Sequence, residues 1–216
     1  MFERKTIGDY IYEKLLDNII QLHYEPGEKL SEGKLAEEYG VSRTPIHNAI
    51  VRLEREGMVT VIPQSGTFVS HLSIKKAQNI CDIRLFLEIY AVKIAALKIT
   101  NEQIADLQTM FNHMESLDKD SPEKSLYISV VDAHLHNTIY ELCGNSLIPE
   151  IINRYLPEIQ RIKRANIKWK DRKESTQIEM KKIFHALGTR NVEEAAEAME
   201  VHISNIKTAI GNLSTK

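Results

Sequence analysis

The sequence predicts a mainly α-helical protein, in which three helices and a small β-hairpin are followed by an all-α bundle of six helices. Two observations support this prediction. Strand-forming residues lie on both sides of a turn at residues 63–66. From residue 73 onward, apolar residues repeat at helical spacing and no strand alternation returns. We therefore predict a first domain at residues 1–72 and an all-helical second domain at residues 73–216.

The first domain begins with a helix over residues 7–22, where apolar residues recur every three or four positions. A second helix is capped by Ser31 and ends at Gly40, because glycine tolerates the positive φ found where helices end. Ser42 is a suitable N-cap for a third helix. The residues predicted to form the buried face of this third helix are Ile46, Ala49, Ile50 and Leu53.

A short β-hairpin follows the third helix. Its strand-forming residues are Val59, Val61, Phe68 and Val69. The dipeptide Lys29-Leu30 is also extended and is a candidate for the first strand of the same sheet. Two helices joined by a tight turn, with a hairpin behind them, form a winged helix–turn–helix, whose second helix usually lies in the major groove of DNA.

The exposed face of the third helix has the chemistry expected of a DNA-reading surface. Its polar residues are Arg43, Thr44, His47, Asn48 and Arg52. No carboxylate precedes Glu54 on this helix, and an acid there would be repelled by DNA phosphates. Together with Gly66 of the hairpin turn, these residues are the predicted DNA-binding set. The alternative is that the helix pair and the hairpin serve packing alone.

Composition places the chain among ordinary globular proteins, with 216 residues, 43% hydrophobic and 27% charged. No apolar run approaches the ~20 residues of a membrane helix, and the N-terminus lacks the apolar segment of a signal peptide. We therefore expect a cytoplasmic protein. The isolated thiols of Cys81 and Cys143 are expected to be buried in a reducing compartment, rather than to form a disulfide or bind metal.

Overall charge does not favour nucleic acid, since the net charge is −2 and residues 1–72 hold eleven acidic and eight basic residues. DNA binding therefore requires that the few bases cluster on one face, as Arg43 and Arg52 could, together with Arg4 and Lys5. We expect moderate affinity, reached by a dimer. A basic stretch at residues 161–173 is interpreted as a solvated helix end and loop, with phosphate contact as the alternative.

Six helix starts can be located in the second domain from their capping residues. They are Ser73, Thr100, Ser121, Asn145, a start near Asp171, and Asn191. Gly144 is expected to end the third of these helices. Six helices in this length are enough to form a bundle with an interior.

Residues 26–70 resemble the winged-helix domain of the GntR family of bacterial transcriptional regulators. The matching segments are Pro26-Gly27-Glu28-Lys29-Leu30, Leu35-Ala36-Glu37-Glu38, Gly40-Val41-Ser42-Arg43-Thr44-Pro45, Arg52-Leu53-Glu54-Arg55-Glu56-Gly57 and Gly66-Thr67-Phe68-Val69. The rest of the chain resembles the all-helical FCD effector domain of that family. Its matching residues are Arg84, Leu87-Glu88, Asp132, His136, Gly144-Asn145, Ala195, Met199 and His202.

The resemblance implies a homodimeric regulator, expected to be a repressor, that binds a pseudo-palindromic operator. It also implies control by a small organic-acid metabolite in the helical domain, often together with a divalent metal. The family usually has Arg and Glu where this chain has His47 and Asn48. Histidine gives less electrostatic steering than arginine, and asparagine can pair with adenine, so we expect a different operator preference.

Three residues of the second domain form a candidate metal site. Asp132 and His136 are four residues apart and share an inward helix face, while His202 lies on an apolar stripe of the last helix. A carboxylate and two imidazoles suit zinc, nickel or manganese. The family pattern has a further histidine at the position of Met180, whose thioether is a weak ligand for these ions.

Three interpretations of this cluster remain open at this point. The three residues hold a metal whose coordination is completed by water or effector, or they form a metal-free polar pocket, or they are ordinary buried polar groups. Arg84 and Met180 are the predicted effector-binding residues. Arg84 either pairs with Glu88, four residues on, or binds the carboxylate of an effector.

The competing functions are of other classes. A metal-dependent hydrolytic enzyme would use Asp132, His136 and His202 with an open position for water, but no general base accompanies them in the sequence. A purely structural or interaction module is the other alternative. The enzyme would leave the helix–turn–helix pattern unexplained. The structural or interaction module would associate with DNA independently of salt or not at all, whereas a DNA-binding regulator predicts a steep salt dependence.

Overall fold

The computed structural model describes residues 6–165 and 172–212, which form two compact units. Within these ranges, the first unit holds residues 6–73 together with Arg154–Ala165, and the second holds Ile74–Asn153 together with residues 172–212. The predicted basic residues Arg4 and Lys5 lie outside the described residues, as does Asp171.

The first unit contains three helices and a three-stranded antiparallel sheet. Its elements are α1 (Ile7–Ile20), β1 (Lys29–Leu30), α2 (Glu32–Glu38), α3 (Arg43–Arg55), β2 (Val59–Ile62) and β3 (Gly66–Val69). The strands lie in the order β1-β3-β2, with Lys29 opposite Phe68 and Val59 opposite Val69. The predicted winged-helix element order is confirmed, including the extra strand at Lys29–Leu30.

The core of the first unit lies where helical spacing places it. The four apolar residues predicted for the inner face of α3 are each at most 2% exposed. They belong to one cluster with the inner residues of α1, such as Ile11, Leu15 and Ile19. Helix α1 ends two residues earlier than expected, because Leu22 has a left-handed backbone with φ of 60°.

Six further helices complete the described chain. They are α4 (Ile74–Lys98), α5 (Asn101–Ser116), α6 (Pro122–Cys143), α7 (Leu147–Ala165), α8 (Lys173–Gly188) and α9 (Val192–Gly211). Helix α7 contributes Leu147–Asn153 to the second unit and its remaining residues to the first. In the second unit α4 packs along α9 and α6, and α8 packs along α9, which positions the site described below. No helix in residues 6–165 and 172–212 is long and apolar enough to cross a membrane.

The predicted helix boundaries of the second unit follow their capping residues. Thr100 and Gln103 form a capping box, and the Ser121 hydroxyl accepts a hydrogen bond from the Lys124 N–H. Gly144 ends α6 with φ of 75°. Asn191 accepts from the Glu194 N–H at the start of α9. Both cysteines are buried free thiols, as expected.

Candidate DNA-binding surface and metal centre

The outward face of α3 is available to a ligand. The predicted reading residues Arg43, Thr44, His47, Asn48 and Arg52 are all exposed. Ser42 occupies the N-cap position, but its side chain makes no capping hydrogen bond. The N–H groups of the first turn therefore keep their capacity to bind an anion such as phosphate.

The imidazole of His47 is oriented by a neighbouring helix. Its Nδ1 lies 3.0 Å from Oε1 of Glu32 on α2, and its side chain remains 61% exposed. Glu32 therefore places a carboxylate beside the reading face. Sequence reasoning missed this acid because it is fifteen residues from His47 and reaches it only through the turn between α2 and α3.

Arg52 is held within the first unit rather than extended from it. Its guanidinium lies 3.5 Å from the centre of the Tyr12 ring, its Nε 3.4 Å from Glu56 and its Nη1 3.6 Å from Asp9. The Tyr12 hydroxyl donates to Glu56 at 2.6 Å. Burial, and then this hydrogen bond, raises the pKa of Tyr12. The predicted DNA contact of Arg52 thus competes with two partners on α1 and one directly after α3.

The wing tip places a lysine beside Gly66. Gly66 has φ of 117°, and a Cβ there would lie 2.9 Å from Cε of Lys29 on β1. The Lys29 Nζ also lies 5.8 Å from the centre of the Phe68 ring. Lys29 is exposed and was absent from the predicted DNA-binding set. The pairing of Lys29 with Phe68 in the sheet brings its charge to the wing, which local sequence does not reveal.

The candidate metal ligands converge inside the second unit. Asp132 and His136 lie on α6 and His202 on α9. The two Nε2 atoms are 3.5 Å apart, and Oδ1 of Asp132 is 3.6 Å from each of them. Donors bound to a tetrahedral zinc at ~2.0–2.1 Å lie roughly 3.4 Å from one another. The triangle of donor atoms therefore fits one face of such a tetrahedron, and a fourth position is left for another ligand.

The imidazole of His136 is held from behind by α4. Its Nδ1 lies 2.6 Å from Oε2 of Glu88, whose Oε1 accepts a hydrogen bond from Nε of Arg84 at 2.6 Å. All three side chains are buried. Burial alone would raise the pKa of Glu88, but the charges of Arg84 and His136 outweigh it and lower this pKa. Burial alone would lower the pKa of His136, and the Glu88 charge raises it instead.

A second carboxylate holds His202 in the same manner. Nδ1 of His202 lies 2.9 Å from Oε2 of Glu179 on α8, and that carboxylate also accepts from Arg172 at 2.7 Å and Asn205 at 2.7 Å. Burial lowers the pKa of His202 and outweighs the opposing hydrogen bond. A neutral His202 with its proton on Nδ1 presents the Nε2 lone pair to the centre of the triangle.

Each imidazole thus has a carboxylate behind it and an arginine behind that carboxylate. This arrangement fixes ring orientation at metal sites, because the outer hydrogen bond selects the tautomer and raises ligand basicity. The donor set fits a divalent transition metal on these grounds. The sequence indicated the three central residues by their spacing, and it indicated Glu88 only as a partner of Arg84. It gave no signal for the role of Glu179, which depends on how α8 packs on α9.

Comparison with known proteins identifies the family of the chain. The model of the family described as bacterial regulatory proteins, gntR family, matches residues 8–69, and that of the FCD domain matches residues 79–205, more than half of the chain. The regulator YieP of Escherichia coli is 31% identical over 165 residues, which cover 67% of this chain and 71% of YieP. The chain belongs to the GntR family and carries an FCD domain.

Other relatives of this GntR regulator are also transcription factors. The Nta operon transcriptional regulator of Aminobacter aminovorans is 29% identical over 85% of each chain. The transcriptional repressor RspR of Escherichia coli is 23% identical over 95% of this chain and 90% of its own. The chain is therefore a DNA-binding transcriptional regulator of the GntR and FCD type, and not an enzyme.

Solved structures agree with the fold. Escherichia coli McbR/YncC has a TM-score of 0.77 at 18% identity, with 96% of this chain and 98% of that chain covered. A putative GntR regulator from Rhodococcus sp. RHA1 has a TM-score of 0.78 at 18% identity, with 96% and 99% covered. At this identity the likeness concerns the fold alone. It confirms the predicted winged helix followed by a helical FCD domain.

The two predicted effector residues of this GntR regulator lie in different surroundings. Arg84 is 4% exposed and is paired with Glu88, the structural partner that its spacing offered. Met180 is fully buried on α8, directly after Glu179 in sequence. Binding of an effector by either residue stays a prediction.

A cavity in the second unit lies near one of the candidate ligands. Its volume is about 380 Å³. It is lined by Asn137, Tyr140, Glu141, Gly144, Ser146 and Pro149. The ring of Tyr140 has its centre 6.0 Å from that of the His136 ring, so one wall of the cavity adjoins the metal-ligand cluster.

Proposed function

We propose that this regulator is a cytoplasmic homodimeric repressor that binds a pseudo-palindromic operator and responds to a small carboxylate metabolite. A divalent transition metal (zinc, nickel or manganese) held by Asp132, His136 and His202 takes part in binding that metabolite. The observation that carries the metal-dependent part of the proposal is the near-equilateral triangle of donor atoms, in which the outer nitrogen of each imidazole faces a carboxylate.

Operator recognition falls to α3 and the wing. Asn48 can donate to and accept from an adenine edge, while Arg43 and Thr44 at the start of α3 suit phosphate or base contacts. Lys29 and Gly66 bring a charge and a bare backbone to the wing. Because the acids of this unit outnumber its bases, one copy supplies few phosphate contacts, and two copies on one duplex compensate for this.

The homodimer is assigned to an exposed apolar stripe on α4. Its members are Ile83, Phe86, Tyr90 and Leu97, which are 46%, 77%, 54% and 69% exposed. Spacings of three, seven and fourteen residues place them on one side of the helix. A contiguous apolar surface of this kind marks an interaction site, and two copies of one stripe meet symmetrically about a two-fold axis.

The chain's own residues prepare the metal site. Glu88 and Glu179 hold the two imidazoles with Nε2 inward, and Asp132 adds a carboxylate oxygen from the same helix as His136. When bound, the metal supplies a Lewis-acidic position for an oxygen of the metabolite. Met180 stands where the family pattern has a further histidine, so this site rests on three protein ligands.

Regulation follows from linkage between the two binding events. An effector changes operator affinity only if it binds the DNA-competent and DNA-incompetent states with different affinity. We assign the effector to the metal site and the adjoining cavity, where its carboxylate meets the metal. Arg84 pairs with Glu88, which faces His136, so an effector carboxylate that binds Arg84 would share its guanidinium with Glu88.

Selection of duplexes from a random library tests this function. The untagged protein is incubated with random 30-base-pair duplexes through repeated rounds, and the bound fraction is sequenced. We expect enrichment of an inverted repeat, and we expect the Asn48→Ala variant to lose preference at one position of each half-site. Enrichment of a single asymmetric site, or of none, would contradict the proposed homodimeric operator binding.

A further inference from the structure

The second half of α7 belongs to the winged-helix unit, and one side of it contacts the main chain of that unit. Arg154, Glu158 and Arg161 are four and three residues apart, which places them on the same side of the helix. The charge pattern of residues 161–173 predicts that Arg161 lies at a solvated helix end. That prediction is wrong for this residue, whose exposure is 0%.

Each of these three side chains reaches a main-chain atom at a junction of the unit. Nη2 of Arg161 donates to the Ser70 carbonyl at 2.5 Å, directly after wing strand β3. Oε1 of Glu158 accepts from the Ser73 N–H at 3.3 Å, directly before α4.

The third contact reaches α3, the recognition helix. Nη2 of Arg154 donates to the carbonyl of Arg55, the last residue of α3, at 3.4 Å. The wing, the recognition helix α3 and the linker between β3 and α4 (residues 70–73) are thus each tied to α7 by one contact.

Arg161 is an unusual group for a purely structural contact. Its Nε and Nη1 are buried without a hydrogen-bond partner among the described residues, and burial lowers its pKa against the opposing charge of Glu158. A buried guanidinium with so few acceptors costs stability, and the charge of the buried Glu158 offsets only part of that cost. Its presence therefore indicates a requirement for defined geometry rather than for stability.

We propose that Arg154, Glu158 and Arg161 of α7 are positioning residues for DNA binding, because they fix the end of the recognition helix, the base of the wing and the linker at once. The contacts use main-chain atoms, so they do not depend on the side chains of Arg55, Ser70 and Ser73. Any shift of α7 along its axis would displace all three attachment points together. The proposal rests on the DNA-binding function of the family and on neither the metal nor the effector.

The test compares variants of the full chain. Arg161→Met removes the charge and the Ser70 contact but keeps a long side chain. Arg164→Met is the matched control, since Arg164 is exposed on the same helix. Operator affinity is measured on a duplex that the wild-type protein selects, hydrogen exchange on the peptide spanning residues 68–74, and thermal stability on the same samples.

We expect Arg161→Met to bind the selected duplex roughly tenfold more weakly and to exchange the amide hydrogens of residues 70–73 faster, by more than any lowering of its melting temperature accounts for. Arg164→Met should behave as the wild-type protein does. The proposal is overturned if Arg161→Met matches Arg164→Met in both affinity and exchange. It is also overturned if affinity falls only in proportion to a lowered melting temperature.

A further variant keeps the proposal testable if Arg161→Met does not fold. Arg154→Ala removes an exposed contact to Arg55, and it should weaken binding without lowering the melting temperature. Wild-type affinity in Arg154→Ala would then overturn the proposal. If the wild-type protein selects no duplex, the proposed operator binding fails, and the exchange measurement still decides whether α7 fixes the linker.

Discussion

The two imidazoles of the helical unit show how far single residues can be understood from sequence. Spacing placed Asp132 and His136 on one helix face and His202 on an inward stripe, and the packing of the helices brings the three side chains together. The carboxylate behind His202 could not be predicted in this way. Glu179 lies twenty-three residues from His202 in the chain and reaches it only because α8 packs along α9.

The Glu179→Gln substitution tests this outer contact. Glutamine can still accept from Nδ1 of His202, but it loses the charge that makes the imidazole a stronger ligand. We expect zinc affinity to fall roughly 10- to 100-fold, measured by competition with a chromophoric chelator. Glu174→Gln, an exposed change on the same helix, is the control. Equal zinc affinity in the two variants would show that Glu179 does not support the ligand.

The His47→Arg substitution tests the reading face. It restores the family's usual arginine, and one added phosphate contact should steepen the dependence of log affinity on log salt by about 0.9. The contact of His47 with Glu32 should limit the gain in affinity, since an arginine there has a carboxylate nearby. His185→Arg adds the same charge at an exposed position of α8 and serves as the control. An equal slope for both variants would mean that residue 47 does not approach phosphate.

At the scale of elements, local sequence signals predicted the helix starts well. They did not predict which surfaces the helices pack against. Capping residues such as Thr100, Ser121 and Asn191 marked helix starts because the cap is made within one turn. The association of the second half of α7 with the winged helix was not predictable, because the apolar pattern of a helix does not identify the surface it packs on. The role of Arg161 was missed for the same reason.

The wing offers a prediction at this scale. Gly66→Ala forces a side chain into φ of 117° and brings its Cβ within 2.9 Å of Lys29. We expect a loss of about 1–3 kcal/mol in the free energy of unfolding, measured by urea titration, and weaker binding to a selected duplex. Gly188→Ala is the matched control, because no atom lies within 4 Å of the added Cβ. If Gly66→Ala lowers the free energy of unfolding no more than Gly188→Ala does, the backbone of the wing can relax around the added side chain.

At the scale of the whole molecule, the composition was the least informative signal. A net charge of −2 argues against nucleic acid, yet the ordered motifs of residues 26–70 and the family matches identify a DNA-binding regulator. Three of the six basic residues in residues 6–72 lie on α3 and one lies beside the wing, so their placement matters more than their number. This charge distribution favours an arrangement in which two copies of the chain contact one operator.

The Phe86→Asp substitution tests the proposed dimer. A carboxylate in the centre of the α4 stripe would be buried against its own copy, so the variant should be a monomer of 24.8 kDa where the wild-type protein has about twice that mass. Light scattering after gel filtration measures both. Ile178→Asp, at another exposed apolar position, should remain dimeric. A dimeric Phe86→Asp variant would place the interface on another surface.

The metal content of the protein tests the central claim of this account most directly. The protein is purified without a histidine tag or chelating resin, and transition metals are quantified by mass spectrometry beside the His202→Ala variant. Three convergent donors with both imidazoles held by carboxylates predict about one equivalent of zinc, nickel or manganese per chain, and its loss in His202→Ala. Less than a tenth of an equivalent in the wild-type protein would contradict the claim that Asp132, His136 and His202 form a metal centre.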